Sequence, residues 1–191
     1  RDFFYENADS ETINNVDGIV QRLSDAGATV EVLPMPASIE TAIEDQQIIM
    51  AVEGASFHQP MFDKQASDYQ PRLREMIQRG LDTDAVTYSR AMERRRQFVT
   101  HMRLLAEQAD ILLTPSTPQP AQADVTNTGS RLFQGPWTSC GLPTITLPSG
   151  LAESGLPLGI QLAGPYLGEA GLLATARWCE ETLDIRLSPP V

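Results

Sequence analysis

The chain has 191 residues, of which 41% are hydrophobic and 20% are charged, and its formal net charge is −11. This length supplies one sizeable core and is short for two, so we expect one compact unit. The acidic balance opposes nucleic-acid binding, because neutralising phosphates requires clustered cations. The one such cluster, Arg94–Arg96, is predicted to be a solvated or ion-paired helix face.

Other features of the whole chain favour a cytoplasmic protein. No apolar run approaches the roughly 20 residues that cross a bilayer, and no charged start precedes an apolar core. The two cysteines, Cys140 and Cys179, lie far apart without C-x-x-C spacing, which argues against a zinc or redox motif. Because residue 1 is Arg rather than Met, we expect the later part of a longer polypeptide.

The N-terminal residues predict a helix that leads into a strand. Residues 1–7 are interpreted as the tail of a strand or a loop. Apolar residues then recur at steps of three and four, with Asp9 or Ser10 as the cap and Gly27 as the stop. Residues 28–33 alternate and predict a strand. A helix followed by a strand is typical of a layered α/β fold.

The middle of the chain is predicted to be helical. Helical spacing of apolar residues extends over 38–54. The pattern loosens over 55–79, which suggests a connecting region with a short helix after Pro71. A long amphipathic helix is predicted over 82–109. We therefore expect a helical excursion around 55–109.

A short apolar run and a proline-rich loop follow. Ile111–Thr114 is too brief for a helix and is predicted to be a buried strand. Pro115, Pro118 and Pro120 keep the next segment extended and poor in hydrogen-bond donors. Since ligands bind at the carboxyl ends of strands in open α/β sheets, this loop is a candidate pocket wall.

Two copies of Gly-Leu-Pro, at 141–143 and 155–157, each precede an apolar run. The first run is Thr144–Leu147 and the second is Leu158–Ala163. Turn residues lie between them, so two strands of one sheet joined by a surface loop are predicted. A last helix is indicated by the apolar spacing over 172–183.

The sequence lacks the familiar catalytic motifs. Lys64 is the only lysine, and no serine stands three residues before it. Neither Gly-x-Ser-x-Gly, a phosphate loop nor His-Glu-x-x-His is present. His58 and His101 are expected to be structural or solvent-facing. We expect neither a metal nor another cofactor.

Two residues near the first Gly-Leu-Pro are candidates for chemistry or binding. Cys140 could be a nucleophile if a base lowered its pKa, but a small buried thiol packing under the turn is favoured. Trp137 could present an aromatic surface to a ligand, or it could be a core residue that covers the sheet edge. The sequence leaves both interpretations of Trp137 open.

Five motifs together resemble the C-terminal half of an amidase signature enzyme. They are Asp110-Ile-Leu-Leu-Thr-Pro-Ser-Thr-Pro, Phe133-x-x-Pro-Trp137, Gly141-Leu-Pro-x-x-x-Leu-Pro-x-Gly150, Gly155-Leu-Pro-Leu-Gly-Ile-Gln-Leu-Ala-Gly164 and Glu169-x-x-Leu-Leu-x-x-Ala176. Their order and spacing agree across 110–183, and the helix with its following Pro in 9–36 is similar to the stretch after the family's signature region.

The resemblance implies hydrolysis or transfer of carboxamides through a serine nucleophile, with a second serine in a cis peptide and a lysine base. In the family these residues precede the region present here, so no catalytic residue is assigned to this chain. The resemblance implies substrate-pocket positions instead. They are Thr114, Pro115, Gly135, Pro136, Trp137 and Thr138.

Two positions depart from the family's pattern. Many relatives have Asn where this chain has Thr138. The glutamine-dependent amidotransferase subunits tend to carry an acidic residue where Arg131 stands, and a cation there would repel a substrate ammonium. The sequence therefore favours a free-standing amidase acting on neutral or anionic amides.

The expected fold is α/β, a layered and mixed β-sheet flanked by helices on both faces, with 1–191 as the C-terminal portion of a single amidase-signature domain. The chain alone is predicted to be inactive. Its expected partners are a small-molecule amide and the upstream half of the same polypeptide, without nucleic acid or membrane, and a homo-oligomer is left open. The alternatives are an amidotransferase A-type subunit and a non-catalytic binding or association module.

Overall fold

The computed structural model describes residues 2–122, 124 and 126–187. The helices are α1 Asp2–Glu6, α2 Ser10–Asp25, α3 Ile39–Gln65, α4 Pro71–Asp82, α5 Ala85–Ala106, α6 Gly135–Cys140 and α7 Glu169–Leu183, and a 3-10 turn, Ala66–Asp68, follows α3. The strands are β1 Leu112–Pro115, β2 Thr144–Leu151 and β3 Pro157–Ala163.

The chain packs as two compact units. The first comprises the described residues of Arg1–Pro36 and His101–Val191, and the second is Ala37–Thr100. The sequence predicted one compact unit and a helical excursion around 55–109, and the second unit overlaps that excursion. No helix within the described ranges is long and apolar enough to cross a membrane.

The first unit is built on a three-stranded sheet in the order β1-β3-β2. Both pairs are antiparallel. The α/β fold class is confirmed, whereas the expected mixture of strand directions is absent from the described strands. For the β2–β3 pair the reason is the short link over 152–156, because a parallel pair needs a crossover of a dozen or more residues.

Each Gly-Leu-Pro triplet lies at the start of a strand, as predicted, with β2 beginning at Thr144 and β3 at Pro157. Gly141 adopts φ +67°, and its N–H donates to the Trp137 carbonyl oxygen at 2.9 Å, which closes α6. Gly155 adopts φ +79° in the turn before β3. Both conformations are left-handed and favour glycine. The predicted strands form, and β2 is longer than the sequence suggested because it continues through a bulge near Ser149 to Leu151.

The core of the first unit lies between one face of the sheet and the helices α2 and α7. Its buried members are Val16, Ile19, Leu23, Leu147, Ile160, Leu162, Leu172, Ala176, Cys179 and Leu183. On the opposite face, Thr144 and Thr146 are exposed. The predicted helix over 172–183 is confirmed, and α7 begins one turn earlier, at Glu169.

The start of α2 follows the predicted capping chemistry. The Asp9 carboxylate accepts a hydrogen bond from the Thr12 N–H at 2.7 Å, which satisfies one of the unpaired donors at the helix start. The interpretation of 1–7 as a strand tail or loop is wrong for the described residues. They form α1 instead, because Phe3 and Phe4 bury their rings against Phe133.

The predicted strand over 28–33 does not form. These residues have neither helix nor strand structure, and Val30 and Val32 are 46% and 61% exposed. A strand requires a neighbour to which its backbone groups can bond. The alternating pattern is present, but no described strand pairs with it.

The second unit is helical, and its first helix is longer than the sequence suggested. The prediction ended this helix near residue 54, whereas α3 continues through Pro60 to Gln65. The extension is stabilised by Phe62, which packs in a cluster with Ala55 of α3 and Ile77 of α4. The short helix predicted after Pro71 is confirmed as α4.

Helices α3 and α4 approach each other closely at Gly80. A Cβ atom at this position would lie 2.0 Å from the Ala51 carbonyl oxygen and 2.7 Å from the Ala55 Cβ. No side chain fits that space. Gly80 is therefore required by the helix packing rather than by a turn.

The arginine cluster is ion-paired, as predicted. The Arg94 Nε atom donates to Asp45 at 2.8 Å, and this carboxylate is 1% exposed. The hydrogen bond that Arg94 donates to Asp45 raises the pKa of Arg94, and desolvation opposes this effect only in part. Arg96 pairs with Glu93 one turn earlier on α5. The guanidinium groups of Arg94 and Arg96 are thus each paired with a carboxylate.

Candidate functional site

The six predicted pocket residues lie on two elements of the first unit. Thr114 and Pro115 are the last two residues of β1, and 135–138 is the first turn of α6. Five of the six are buried, whereas Thr138 is exposed. The structure thus brings the six residues to one strand end and one short helix.

A cavity of about 630 Å³ opens beside them in the first unit. Thr114, Pro115 and Trp137 line it, whereas Gly135, Pro136 and Thr138 do not. The rest of the lining comes from α1, α2, α5, α7, Met35 and two consecutive stretches, 27–33 and 108–115. Its size lies within the range of small-molecule sites in proteins.

Trp137 occupies a core position at the wall of this cavity. It is 2% exposed, and its ring stacks on Phe4 with centroids 5.9 Å apart and an interplanar angle of 7°. Its Nε1 atom is buried without a hydrogen-bond partner. Both interpretations of this residue therefore describe part of what the structure shows, since the indole packs in the core and still borders the cavity.

A row of polar side chains crosses the sheet next to the cavity. Gln161 of β3 lies between its register partners Thr114 and Thr146. The Gln161 Oε1 and Thr114 Oγ1 atoms are buried and have no hydrogen-bond partner. A buried polar atom without a partner carries a free-energy cost of about 1–3 kcal/mol, so these two atoms lie where a polar group would stabilise the protein.

Sequence reasoning did not select Gln161. The residue is the one polar side chain in the apolar run Leu158–Ala163. A lone amide in an otherwise apolar strand is a usable signal, because a buried amide normally has hydrogen-bond partners.

The proline-rich loop is held in place by hydrogen bonds at its start. The Ser116 N–H donates to the Gly159 carbonyl oxygen at 3.0 Å, and the Gln134 side chain donates to the Ser116 carbonyl oxygen. A Cβ atom on Gly159 of β3 would lie 2.8 Å from the Ser116 Oγ atom and 3.1 Å from the Thr146 Cγ2 atom, so a larger residue there would displace these side chains. These contacts link the end of β1 to β3 and to the start of α6.

The cysteines have structural environments. Cys140 is 2% exposed at the end of α6, and its Sγ atom donates to the Trp137 carbonyl oxygen at 3.4 Å. This is the buried packing role that the sequence favoured. Cys179 of α7 lines the cavity, and burial raises the pKa of its thiol, so it stays protonated at neutral pH.

Neither histidine lines the cavity, and Lys64 does not line it either. His58 is half-buried in the second unit, with its Nδ1 atom 3.1 Å from the Tyr69 hydroxyl, and His101 is exposed. Lys64 is exposed near the end of α3. In the parts of the chain that the structure describes, no three His, Cys, Asp or Glu side chains are grouped to hold a metal ion.

Comparison with known families decides the identity of this fold. The amidase family model matches residues 1–173. The chain belongs to the amidase signature family. The resemblance that the five motifs indicated is thereby confirmed, and the amidase match extends over both compact units.

Similar amidase-family proteins are considerably longer than this chain. AmiD of Mycobacterium tuberculosis strain H37Rv is 32% identical over 152 residues, which are 74% of this chain and 32% of AmiD. The A-type subunit of the glutamyl-tRNA(Gln) amidotransferase of Halothermothrix orenii is 26% identical over 220 aligned residues, 99% of this chain and 46% of that protein. The matches thus span 32% and 46% of the lengths of these two relatives.

Solved amidase structures share the fold. A crystal structure of an amidase superposes with a TM-score of 0.87 at 25% identity, covering 95% of this chain and 44% of that one. A bacterial aryl acylamidase superposes with a TM-score of 0.78 at 17% identity, covering 92% of this chain and 41% of that one. The described helices and strands therefore form part of an amidase signature fold.

Proposed function

We propose that this chain is the pocket-forming part of an amidase that hydrolyses carboxamide C–N bonds, and that its catalytic residues lie upstream of residue 1. One observation carries the proposal: the family match covers nearly all of this chain, while the chain covers less than half of its relatives. The single lysine supports it, because Lys64 is not among the residues that line the cavity.

The proposed chemistry is covalent catalysis by a serine. A serine hydroxyl is a weak nucleophile until a positioned base removes its proton. In this proposal an upstream lysine, acting through a second serine in a cis peptide, takes that proton. The serine oxygen then bonds to the amide carbon, backbone donors stabilise the oxyanion, and the amine departs with a proton. Water hydrolyses the resulting ester and frees the serine.

The residues of this chain shape the space in which the substrate lies. Thr114, Pro115 and Trp137 form a wall that is rigid because β1 and α6 hold their backbones. The first turn of α6, Gly135–Thr138, supplies the remaining predicted contacts, and Thr138 offers an exposed hydroxyl there. Such a wall positions a substrate without exchanging protons with it.

A glutamine-dependent amidotransferase component is the second candidate. It is favoured by the similarity to the Halothermothrix orenii protein, which extends over 99% of this chain. The exposed Arg131 opposes it, since a cation disfavours a substrate that carries an ammonium group. Release of ammonia from glutamine, compared with release from neutral amides, separates the two functions.

The test uses the full-length polypeptide and measures ammonia or amine release from a panel of aliphatic and aromatic amides and from glutamine. We expect turnover of neutral amides that exceeds turnover of glutamine. Thr138→Ala is expected to raise KM several-fold. Thr100→Ala, an exposed helical threonine in the second unit, is the matched control and is expected to leave KM unchanged. Absence of amide turnover across the panel would contradict the proposal.

A further inference from the structure

A buried hydrogen-bond acceptor without a partner lies at the centre of the sheet. β3 is the middle strand, and Gln161 lies in it between the register partners Thr114 of β1 and Thr146 of β2. Gln161 is 6% exposed, and its Oε1 atom has no hydrogen-bond partner among the described residues. Because a strand flanks it on each side, the side chain does not reach solvent around an edge of the sheet.

Gln161 faces away from the core of the first unit. Its neighbours Ile160 and Leu162 belong to the core that packs against α2 and α7. Successive side chains of a strand point to opposite faces of the sheet, so Gln161 points to the other face. Helices α2 and α7 therefore do not supply the missing partner.

Thr114 adds a second unpaired oxygen on the same face. It lies directly opposite Gln161 in the register, it is 8% exposed, and its Oγ1 atom has no partner in the part of the chain that the structure describes. An apolar side chain of the same shape at either position would avoid the cost of an unpaired buried oxygen. Two such oxygens side by side indicate that a group donating hydrogen bonds meets this face.

A small molecule in the cavity does not account for Gln161. Thr114 lines the cavity, whereas Gln161 is not among its lining residues. The donor must then come from polypeptide outside this chain's described residues. The superposed amidase crystal structure has more than half of its chain outside the matched part, since 44% of it is covered. A polypeptide of that length has backbone N–H groups to donate.

We propose that Gln161 is a positioning residue for the reactive serine, and that its Oε1 atom accepts a hydrogen bond from a backbone N–H of the upstream segment that carries this serine. The Thr114 Oγ1 atom accepts a second hydrogen bond from the same segment. The proposal rests on the proposed function, in which the serine lies upstream of residue 1. A neutral amide suits this role, because it holds a backbone donor without exchanging a proton with the lysine base.

Such a contact acts on the rate of the chemical step. The serine oxygen must lie near both the base and the amide carbon, and a displacement of about 1 Å costs about 10²-fold in rate. Gln161 holds the segment and does not touch the substrate. Its loss is therefore expected to lower kcat without changing KM.

Gln161→Met in the full-length protein tests this contact, because methionine keeps the length of the side chain and removes its acceptor oxygen. We expect kcat for amide hydrolysis to fall about 10- to 100-fold, with KM within about twofold of the wild-type value. The rate at which a fluorophosphonate labels the reactive serine should fall in parallel. Gln97→Met, at an exposed position of α5, is the matched control and is expected to leave both rates unchanged.

Gln161→Glu is the conservative variant. It keeps an acceptor oxygen of the same reach, and a carboxylate accepts a stronger hydrogen bond from an N–H, so kcat should stay within about threefold of the wild-type value. Equal kcat values for Gln161→Met and Gln97→Met would overturn the proposal. So would a rise in KM at constant kcat, because that result would mean that Gln161 contacts the substrate.

The Tm of the full-length Gln161→Met variant is a readout that needs no amide turnover. If a backbone donor pairs with the Oε1 atom, methionine leaves that donor buried and unpaired, and we expect the Tm to fall by about 2–4 °C. An unchanged or higher Tm would overturn the proposal, since it means that the oxygen has no partner in the full-length protein. A lower Tm with unchanged labelling of the serine would also overturn it, because this result indicates a purely structural contact or a buried water.

The same measurements separate this proposal from the proposed function. A wild-type protein without amide turnover would contradict the proposed function. An active wild-type protein with an equally active Gln161→Met variant would contradict the positioning role of Gln161 alone.

Discussion

The two compact units differ in how completely their backbone groups are paired. The second unit, 37–100, consists of helices, which form their hydrogen bonds within themselves. The first unit contains a sheet whose β1 edge has no partner among the described strands, and 28–33 beside the same cavity forms no strand. The backbone hydrogen bonds of a helical unit can thus be completed locally, whereas those of a sheet depend on strands that lie far away in the sequence.

Substitution of Trp137 tests the aromatic packing of the first unit, and we expect it to lower the stability most. Trp137→Ala removes a buried ring that stacks on Phe4, and we expect a loss of about 3–5 kcal/mol in the free energy of unfolding. Trp137→Phe keeps most of the packing and should lose less than half as much. Denaturant unfolding measures both. A loss below about 1 kcal/mol for the alanine variant would show that this ring does not stabilise the core.

Substitution of Gly80 tests the close packing of α3 and α4 in the second unit, and its effect on stability should be the next in size. In Gly80→Ala the new Cβ would overlap the Ala51 carbonyl, and the helices must separate, so we expect a loss of about 3 kcal/mol. Gly18→Ala in α2 is the matched control, since nothing lies within 4 Å of its Cβ. It should gain about 0.5–1 kcal/mol, because alanine favours a helix interior. Similar stabilities for the two variants would contradict the packing at Gly80.

Substitution of Asp9 tests the cap at the start of α2, and its expected effect on stability is smaller. Asp9→Ala removes the acceptor of the Thr12 N–H and should cost about 1 kcal/mol. Asp9→Asn keeps an acceptor oxygen and is expected to cost little. Thermal unfolding of both variants makes this measurement. An equal loss in both would indicate that charge rather than capping stabilises the helix.

The smallest effect concerns the exposed Asp84 before α5. Hydrogen bonds from the Thr87 hydroxyl and N–H lower the pKa of this carboxyl below its ordinary value of 3.8. Because the folded-state pKa is the lower one, the stabilisation is complete above the unfolded pKa and is lost as the pH falls through the folded pKa. Asp84→Asn should therefore flatten the acid side of the stability curve slightly. An unchanged pH profile would show that Asp84 does not contribute to the pH dependence of stability.

The elements that the sequence predicted well have local causes. The two Gly-Leu-Pro triplets fix their strands through left-handed glycines and proline starts, and Asp9 caps α2 through its own side chain. The β2–β3 hairpin also follows from its short link. Each of these features is determined by residues that are close together in the sequence. A short sequence pattern can predict features of this kind.

The elements that the sequence missed depend on distant contacts. Helix α3 continues past Pro60 because Phe62 packs on α4, and Asp2–Glu6 is helical where its aromatic rings meet Phe133. Residues 28–33 do not form a strand because no described strand pairs with them. Of the predicted pocket residues, Thr114, Pro115 and Trp137 border the cavity, and substrate contact by all six stays a prediction. Gln161 was missed because its buried position depends on the sheet register.

In the proposed function, the reactive serine lies outside these 191 residues. Treating the full-length protein with a serine-reactive fluorophosphonate and mapping the labelled peptide by mass spectrometry tests this claim most directly. If the reactive serine lies upstream, one serine before residue 1 is labelled, and amide hydrolysis is lost in proportion to the labelling. A stoichiometric label on a serine of this chain, such as Ser116, Ser139 or Ser149, would contradict it.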